Sequence, residues 1–172
     1  ERLGKEGRFI NPTLHVGRSR VWALQEKKEH QGLTTEEQAR LDEILYSFDE
    51  RLEHTRRLID MGLKVISGSD SSWGNYQLGN TAYETETLVM AGYTPMQGVL
   101  SVTSEAAKAL GMEDLVGTLA PGKEADLIVV NGNPAENIGD LWNVEEVFLA
   151  GRRIDRGSEE SLAATRQHPP SR

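Results

Sequence analysis

The stretch "LKVISGSDSSWGNY", residues 63–76, decides how the rest of the chain is read. Leu63 to Ser67 is a short, β-favouring apolar run bounded by Gly62 and Gly68, which reads as a buried strand. A glycine- and serine-rich loop follows, carrying Asp70, Trp73 and Tyr76. An Asp beside Gly and Ser is most often a turn-maker that accepts backbone hydrogen bonds. The functional reading is that parallel strands deliver side chains to the carboxyl edge of a sheet, where α/β active sites are built. Position alone leaves both readings open.

Upstream, Thr34 and Glu37 have capping-box spacing, and Leu41, Leu45, Phe48, Leu52 and Ile59 recur at helical spacing. Glu36–Arg40 and Glu53–Arg57 are i,i+4 pairs on the outer face, and Gly62 stops the helix after Met61. Further upstream, "RFINPTLHV" (8–16) reads as a strand interrupted near Pro12, with a loop at "EKKEHQG". Downstream, a helix over about 81–91 ends at Gly92, and Thr94-Pro95 opens another that runs to Leu110 with Gly111 as its stop. Helix, strand, loop, helix is the grammar of an α/β layer with a parallel sheet.

That grammar changes after Gly111. "VGTLAPGKEADLIVVNGNP" (116–134) reads as two β-runs about a Pro-Gly turn, and "VEEVFLAGRRI" (144–154) as two more about Ala150-Gly151. A small antiparallel element is expected from about residue 112. The end, "SLAATRQHPPSR", keeps no period and is expected to be mobile.

The 172 residues suffice for one domain with a core. A net charge of -8 argues against a broad phosphate-binding or anionic-membrane surface, and no apolar run approaches the roughly 18 residues of a membrane helix. No nucleic-acid or membrane partner is therefore expected. The absence of Cys excludes disulfides, thiolate metal sites and a Cys nucleophile, and it fits a reducing, cytoplasmic compartment. The opening "ERLGKEGRF" has neither an initiator Met nor a signal pattern, so trimmed ends or a piece of a longer protein are expected.

The candidate chemistry is sparse. His30, His54 and His168 read as solvated; only His15 falls where it projects toward the same sheet edge as Asp70, and a satisfied structural role competes with that. No H-x-H or H-E-x-x-H spacing occurs, so the chain cannot assemble a three-ligand zinc site alone. Trp73 and Tyr76 either line a pocket or pack their loop onto the sheet. Glu84 and Glu86 read as first-turn carboxylates favoured by the helix dipole. "APGK" lacks the spaced glycines of a phosphate loop and reads as a hairpin turn.

Taken in order, "GLKVISGSD", "AGYTPMQGVLSVTSEAAKALG", "VGTLAPGKEADLIVVNGNP" and "VEEVFLAGRRI" resemble the carboxyl-terminal part of the metal-dependent amidohydrolase superfamily, in its imidazolonepropionase-like and prolidase-like branch. The resemblance covers residues 9 to about 156. It implies an α/β fold: the carboxyl-terminal part of a (β/α)8 TIM-type barrel, with residues 9–16 as strand seven and 63–70 as strand eight, followed by part of a small β-sandwich. The implied division is 1–111 for the barrel portion, 112–156 for the sandwich strands and 157–172 for a tail. Asp70 matches the Asp that touches a divalent metal, expected to be zinc, and handles the proton of the attacking water. Glu105 stands where an Asn is more usual.

The family's other metal ligands lie on strands absent here, and a barrel alone takes about 250 residues. The expectation is thus a portion of a hydrolase of carbon-nitrogen bonds acting on a small amide substrate. The chain alone is expected to be inactive, and to self-associate or to need its missing amino-terminal part. His15, Trp73 and Tyr76 stand as substrate-contact candidates outside the resemblance. The rival is a non-catalytic scaffold that keeps the family's tail.

Overall fold

Strands β1 (Phe9–Ile10) and β2 (Lys64–Val65) pair in parallel, Phe9 opposite Lys64 and Ile10 opposite Val65, in a computed structural model that describes residues 6–70 and 81–157. Trp73, Tyr76, His168 and the tail from residue 158 lie outside the described residues. Between the two strands the chain makes a helical hairpin, α1 (His15–Gln31) and α2 (Thr35–Asp60).

The capping box of α2 is formed: the Glu37 amide donates to the Thr34 hydroxyl at 3.2 Å and the Thr34 amide to the Glu37 carboxylate at 3.0 Å. Lys27 of α1 pairs with the same Glu37, which together with the Thr34 bonds holds that carboxyl below its usual range. Glu53 and Arg57 pair at 3.1 Å as the spacing predicts.

Helix α1 replaces the expected loop. Only Phe9–Ile10 of the 8–16 run is strand, and the chain turns helical at His15, through "EKKEHQ". Lys, Glu, Gln, Ala and Leu in that segment are good helix formers. Its N-terminus has no cap from its own neighbourhood, because Leu14 offers no side-chain acceptor. The helix lies close on α2 at Gly17, where a Cβ would sit 3.0 Å from the Phe48 ring.

After β2 come α3 (Thr81–Met90), α4 (Pro95–Val102) and α5 (Ser104–Leu110). Thr94 caps α4 through a box with Gln97, and Gly111 ends α5 in the left-handed conformation. The single helix expected over 95–110 is broken at Thr103 (φ -118°, ψ -97°), whose hydroxyl donates back to the Val99 carbonyl at 2.7 Å.

One core cluster, Leu14, Val65, Leu88 and Ala91, joins the strands to α3; a second, Val21, Leu41 and Phe48, fills the hairpin. Burying a Leu or Val side chain contributes about 1.5–3 kcal/mol, more than an exposed ion pair gives. The cores therefore fix the hairpin more firmly than its surface charges.

Strands β3 (Leu127–Val130), β4 (Val144–Leu149) and β5 (Arg152–Arg153) form an antiparallel sheet, with a 3-10 turn at Ile138–Trp142 between β3 and β4. The β4–β5 hairpin turns at Ala150-Gly151, both with positive φ (49° and 74°), as a two-residue hairpin of this hand requires. The expected hairpin at Pro121-Gly122 does not form, because no strand precedes it. The Lys123 ammonium donates to the Glu113 carbonyl and the Thr118 hydroxyl, and the Glu124 amide to the Leu115 carbonyl. Those bonds fold residues 113–118 onto the turn instead of pairing them as a strand.

Candidate functional site

Because β1 and β2 are parallel, the segments that follow them, 11–15 and 66–70, emerge at the same edge of the sheet. Ser67 is tied at that edge by its amide, which donates to the Ser101 carbonyl at 3.2 Å, and by its hydroxyl, 3.3 Å from that of Thr85. Next to it, Gly68 admits the side chain of Asn11: a Cβ there would sit 1.9 Å from the Asn11 amide nitrogen. Asp70 follows, exposed, with φ at 29°. Left-handed backbone is uncommon for a residue with a Cβ, though Asp tolerates it better than most, and such residues gather where function needs a side chain aimed.

His15 does not join Asp70 at the solvent-exposed edge. It is 0% exposed, and its ring Nδ1 donates to Glu84 at 3.1 Å. With two backbone amides also directed at this carboxylate, the tautomer that carries its proton on Nδ1 completes the set of donors around it. The same carboxylate accepts the backbone amides of Leu14 at 3.0 Å and His15 at 2.7 Å. Glu84 is thus the cap that α1 lacks locally, a negative charge at a helix N-terminus supplied by α3.

Glu86 holds the other side of α3. It accepts from Arg18 at 2.8 Å and from the Trp142 indole at 3.1 Å, linking α1 to the 3-10 turn before β4. The Arg18 guanidinium lies 4.3 Å from the Tyr83 ring centre, and Tyr83 meets Trp142 edge-on at 6.3 Å. Burial pushes the Tyr83 hydroxyl up to about 12; Arg18 opposes the rise and Glu86 adds to it.

Neither of these glutamates is explained by the helix dipole alone, as the sequence suggested. The overlooked signal is that Glu84, Leu88 and Ala91 share one helical stripe, so Glu84 had to enter the core. Asn11 was also missed; its cue is the glycine at 68, legible only once the two strands are known to be neighbours.

Among the described residues no three His, Asp or Glu side chains converge. Asp70 is a suitable oxygen donor for a divalent ion, but these residues bring it no companions. A cleft of about 310 Å³ lies elsewhere, between β2 and α4, lined by Leu63, Val65, Tyr93, Ser101 and Glu105 among others. Asp70 is not in its wall.

The sequence model of the Amidohydrolase family matches residues 19–154. An imidazolonepropionase of Geobacillus kaustophilus is 38% identical over 82 residues, 44% of this chain and 18% of that protein. An ochratoxinase of Aspergillus niger is 32% identical over 110 residues, 63% of this chain and 22% of that protein. Among solved structures, a Xaa-Pro dipeptidase with bound methionine superposes with a TM-score of 0.69 at 29% identity, covering 89% of this chain and 36% of its own. A putative prolidase from Bifidobacterium longum gives 0.69 at 26% identity, with 91% and 38% covered. The chain thus spans about a fifth of those curated relatives' length and little more than a third of those solved chains. These solved relatives have the amidohydrolase fold, of TIM-barrel type, and the mixed helix and sheet here align with part of it. By its sequence and its fold the chain belongs to the amidohydrolase family, in the branch of the imidazolonepropionases and prolidases.

Proposed function

We propose that this chain is the carboxyl-terminal portion of a hydrolase of carbon-nitrogen bonds in small amides, cyclic amides or dipeptide-like substrates, with Asp70 as its catalytic carboxylate. In this reading β1 and β2 are the last two barrel strands, residues 1–111 complete the barrel, and 112–156 return to a small composite sandwich. The observation that carries it is the placement of Asp70, beyond the carboxyl end of a parallel strand and in left-handed backbone, after a segment pinned at Ser67 and Gly68. The relatives' names, imidazolonepropionase, ochratoxinase and Xaa-Pro dipeptidase, support the bond type.

Asp70 would be one ligand of a divalent ion, zinc being favoured, whose remaining ligands come from outside this chain. Such an ion, when bound, polarises a scissile carbonyl and brings the pKa of its water to about 7. Beside such an ion the Asp70 carboxylate would take the proton of the attacking water and return it to the departing amine nitrogen, as base and afterwards as acid. The chain alone is inactive in this account. Trp73 and Tyr76, three and six residues after Asp70 in sequence, are proposed as walls of the substrate pocket.

The test is hydrolysis by the longer polypeptide of a panel of Xaa-Pro dipeptides, N-acyl amino acids and cyclic amides, before and after dialysis against a chelator. Cleavage that chelation abolishes and zinc restores supports the reading. A folded polypeptide that cleaves none of the panel, with or without added zinc, supports a non-catalytic scaffold instead.

A further inference from the structure

Two backbone outliers lie at one edge of the parallel strands. Among the described residues, Thr13, Asp70 and Ala150 are the non-glycine residues with positive φ. Ala150 belongs to the β4–β5 turn, whereas Thr13 (φ 47°) and Asp70 (φ 29°) both follow a strand of the β1–β2 pair. For a β-branched residue this conformation is an outlier, and it persists only where surrounding contacts impose it. Those contacts are present. Arg51 of α2 donates to the Pro12 carbonyl at 3.0 Å and to the Thr13 carbonyl at 3.3 Å, and Glu84 of α3 accepts the next two amides, those of Leu14 and His15. Two helices thus grip residues 12–15 by their backbone.

What this grip presents is Asn11. The Lys64 ammonium lies 5.0 Å from the Phe9 ring centre, so these paired residues share one face of the strands. Val65 and Ser67 turn to the other face, Val65 into the core with Leu88 and Ser67 toward Thr85 of α3. Alternation puts Asn11 and Gly68 on the Phe9 face, away from the helices, and the Asn11 carboxamide does lie over Gly68. Asn11 is exposed, and its carboxamide makes no hydrogen bond among the described residues. Residues 11–15 and 66–70 include no Lys or Arg, so a carboxylate would find no cation there to offset its charge. A neutral carbonyl oxygen suits the two N–H donors of an Asn side chain.

We infer that Asn11 is a substrate-binding residue of the site that Asp70 serves. Its carboxamide donates to a neutral carbonyl oxygen of the substrate, and Arg51 and Glu84 are positioning residues that hold its segment in place. This rests on the reading of the chain as the carboxyl-terminal portion of a hydrolase of carbon-nitrogen bonds.

The test is steady-state kinetics of the longer polypeptide, on whichever amide of the panel it cleaves, with Asn11→Asp and Asn11→Ala. Asp keeps the size and the packing on Gly68 but has no N–H, and Ala removes both. KM should rise about tenfold in each, the scale of one lost hydrogen bond, with kcat within about threefold of the parent and the urea midpoint unchanged. An Asp variant with the parent's KM would show that the carboxamide only packs on Gly68, and would overturn the inference while the hydrolase reading stands. A fall in kcat at unchanged KM would place the effect on Asp70 instead of the substrate, and would overturn it too. A folded polypeptide that cleaves nothing sinks the hydrolase reading and this inference with it.

The grip is tested by Arg51→Met, which keeps most of the side chain and removes both donors. KM should rise because Asn11 is no longer held, so the double variant with Asn11→Ala should be no worse than Asn11→Ala alone. Effects that multiply in the double variant would overturn the positioning role of Arg51.

Discussion

Glu84 and His15, 69 residues apart in sequence, meet in a fully buried contact in which one carboxylate accepts the imidazole N–H and two backbone amides. The link joins the segment after β1 to α3, the first helix after Asp70 among the described residues. It makes the start of α1 depend on α3.

Removing that carboxylate leaves three buried donors to be satisfied another way. Each orphaned donor costs about 1–3 kcal/mol, so Glu84→Ala should destabilise the chain by about 3 kcal/mol or more, seen as a lower denaturation midpoint in urea. Glu84→Gln keeps the shape but sets an amide N–H among donors, and should fall between Ala and the parent. An Ala variant within about 0.5 kcal/mol of the parent would refute the cap, since that is the range of ordinary surface changes.

Gly117 gives a sharper test of packing against α5. Its φ is 87°, and a Cβ there would meet that of Ala107 at 2.6 Å and the Thr103 carbonyl at 3.0 Å. Gly117→Ala therefore combines backbone strain with overpacking and should cost about 2–4 kcal/mol. Gly122→Ala, also at positive φ (90°) but with nothing within 4 Å, should cost less, about 1 kcal/mol. Equal losses at the two positions would show that α5 does not press on residue 117.

Tyr83 makes stability fall in alkali. Its folded pKa, about 12, lies above the ordinary value of 10.0, so above pH 10 the unfolded chain gives up a proton that the folded chain keeps. The contribution is complete below pH 10 and is lost as pH rises to about 12, on the order of 3 kcal/mol in all. Urea midpoints measured from pH 8 upward should fall less steeply for Tyr83→Phe than for the parent. Identical slopes would mean that the phenol is not held in a buried site.

Much of the fold was legible because its signals are local. Thr34 with Glu37, Thr94 before Pro95, Gly111 and Ala150-Gly151 are each specified within a few residues, and each is found as read. What failed depends on distant partners. Helix α1 takes its cap from Glu84, 69 residues beyond His15, and the expected strand before Pro121 is folded away by Lys123. Thr103 breaks a continuous helical pattern through a hydroxyl that the pattern ignores.

Asp70 stood out by its place after a strand and by its resemblance to the family, while Asn11, Glu84 and Glu86 become visible only when strands and helices are side by side. His15 follows β1 at the same edge of the sheet as Asp70, and its buried ring meets Glu84. Trp73 and Tyr76 fall outside the described residues.

The account stands most directly on Asp70, and the decisive measurement is the kcat of Asp70→Asn in the longer polypeptide, on whichever amide it cleaves. Asn keeps the size and the tolerance for left-handed backbone but cannot accept the proton. The account predicts a fall in kcat on the order of a thousandfold with an unchanged denaturation midpoint. A variant whose kcat stays within about threefold of the parent would contradict it, because a group that carries the proton in the transition state cannot be lost so cheaply.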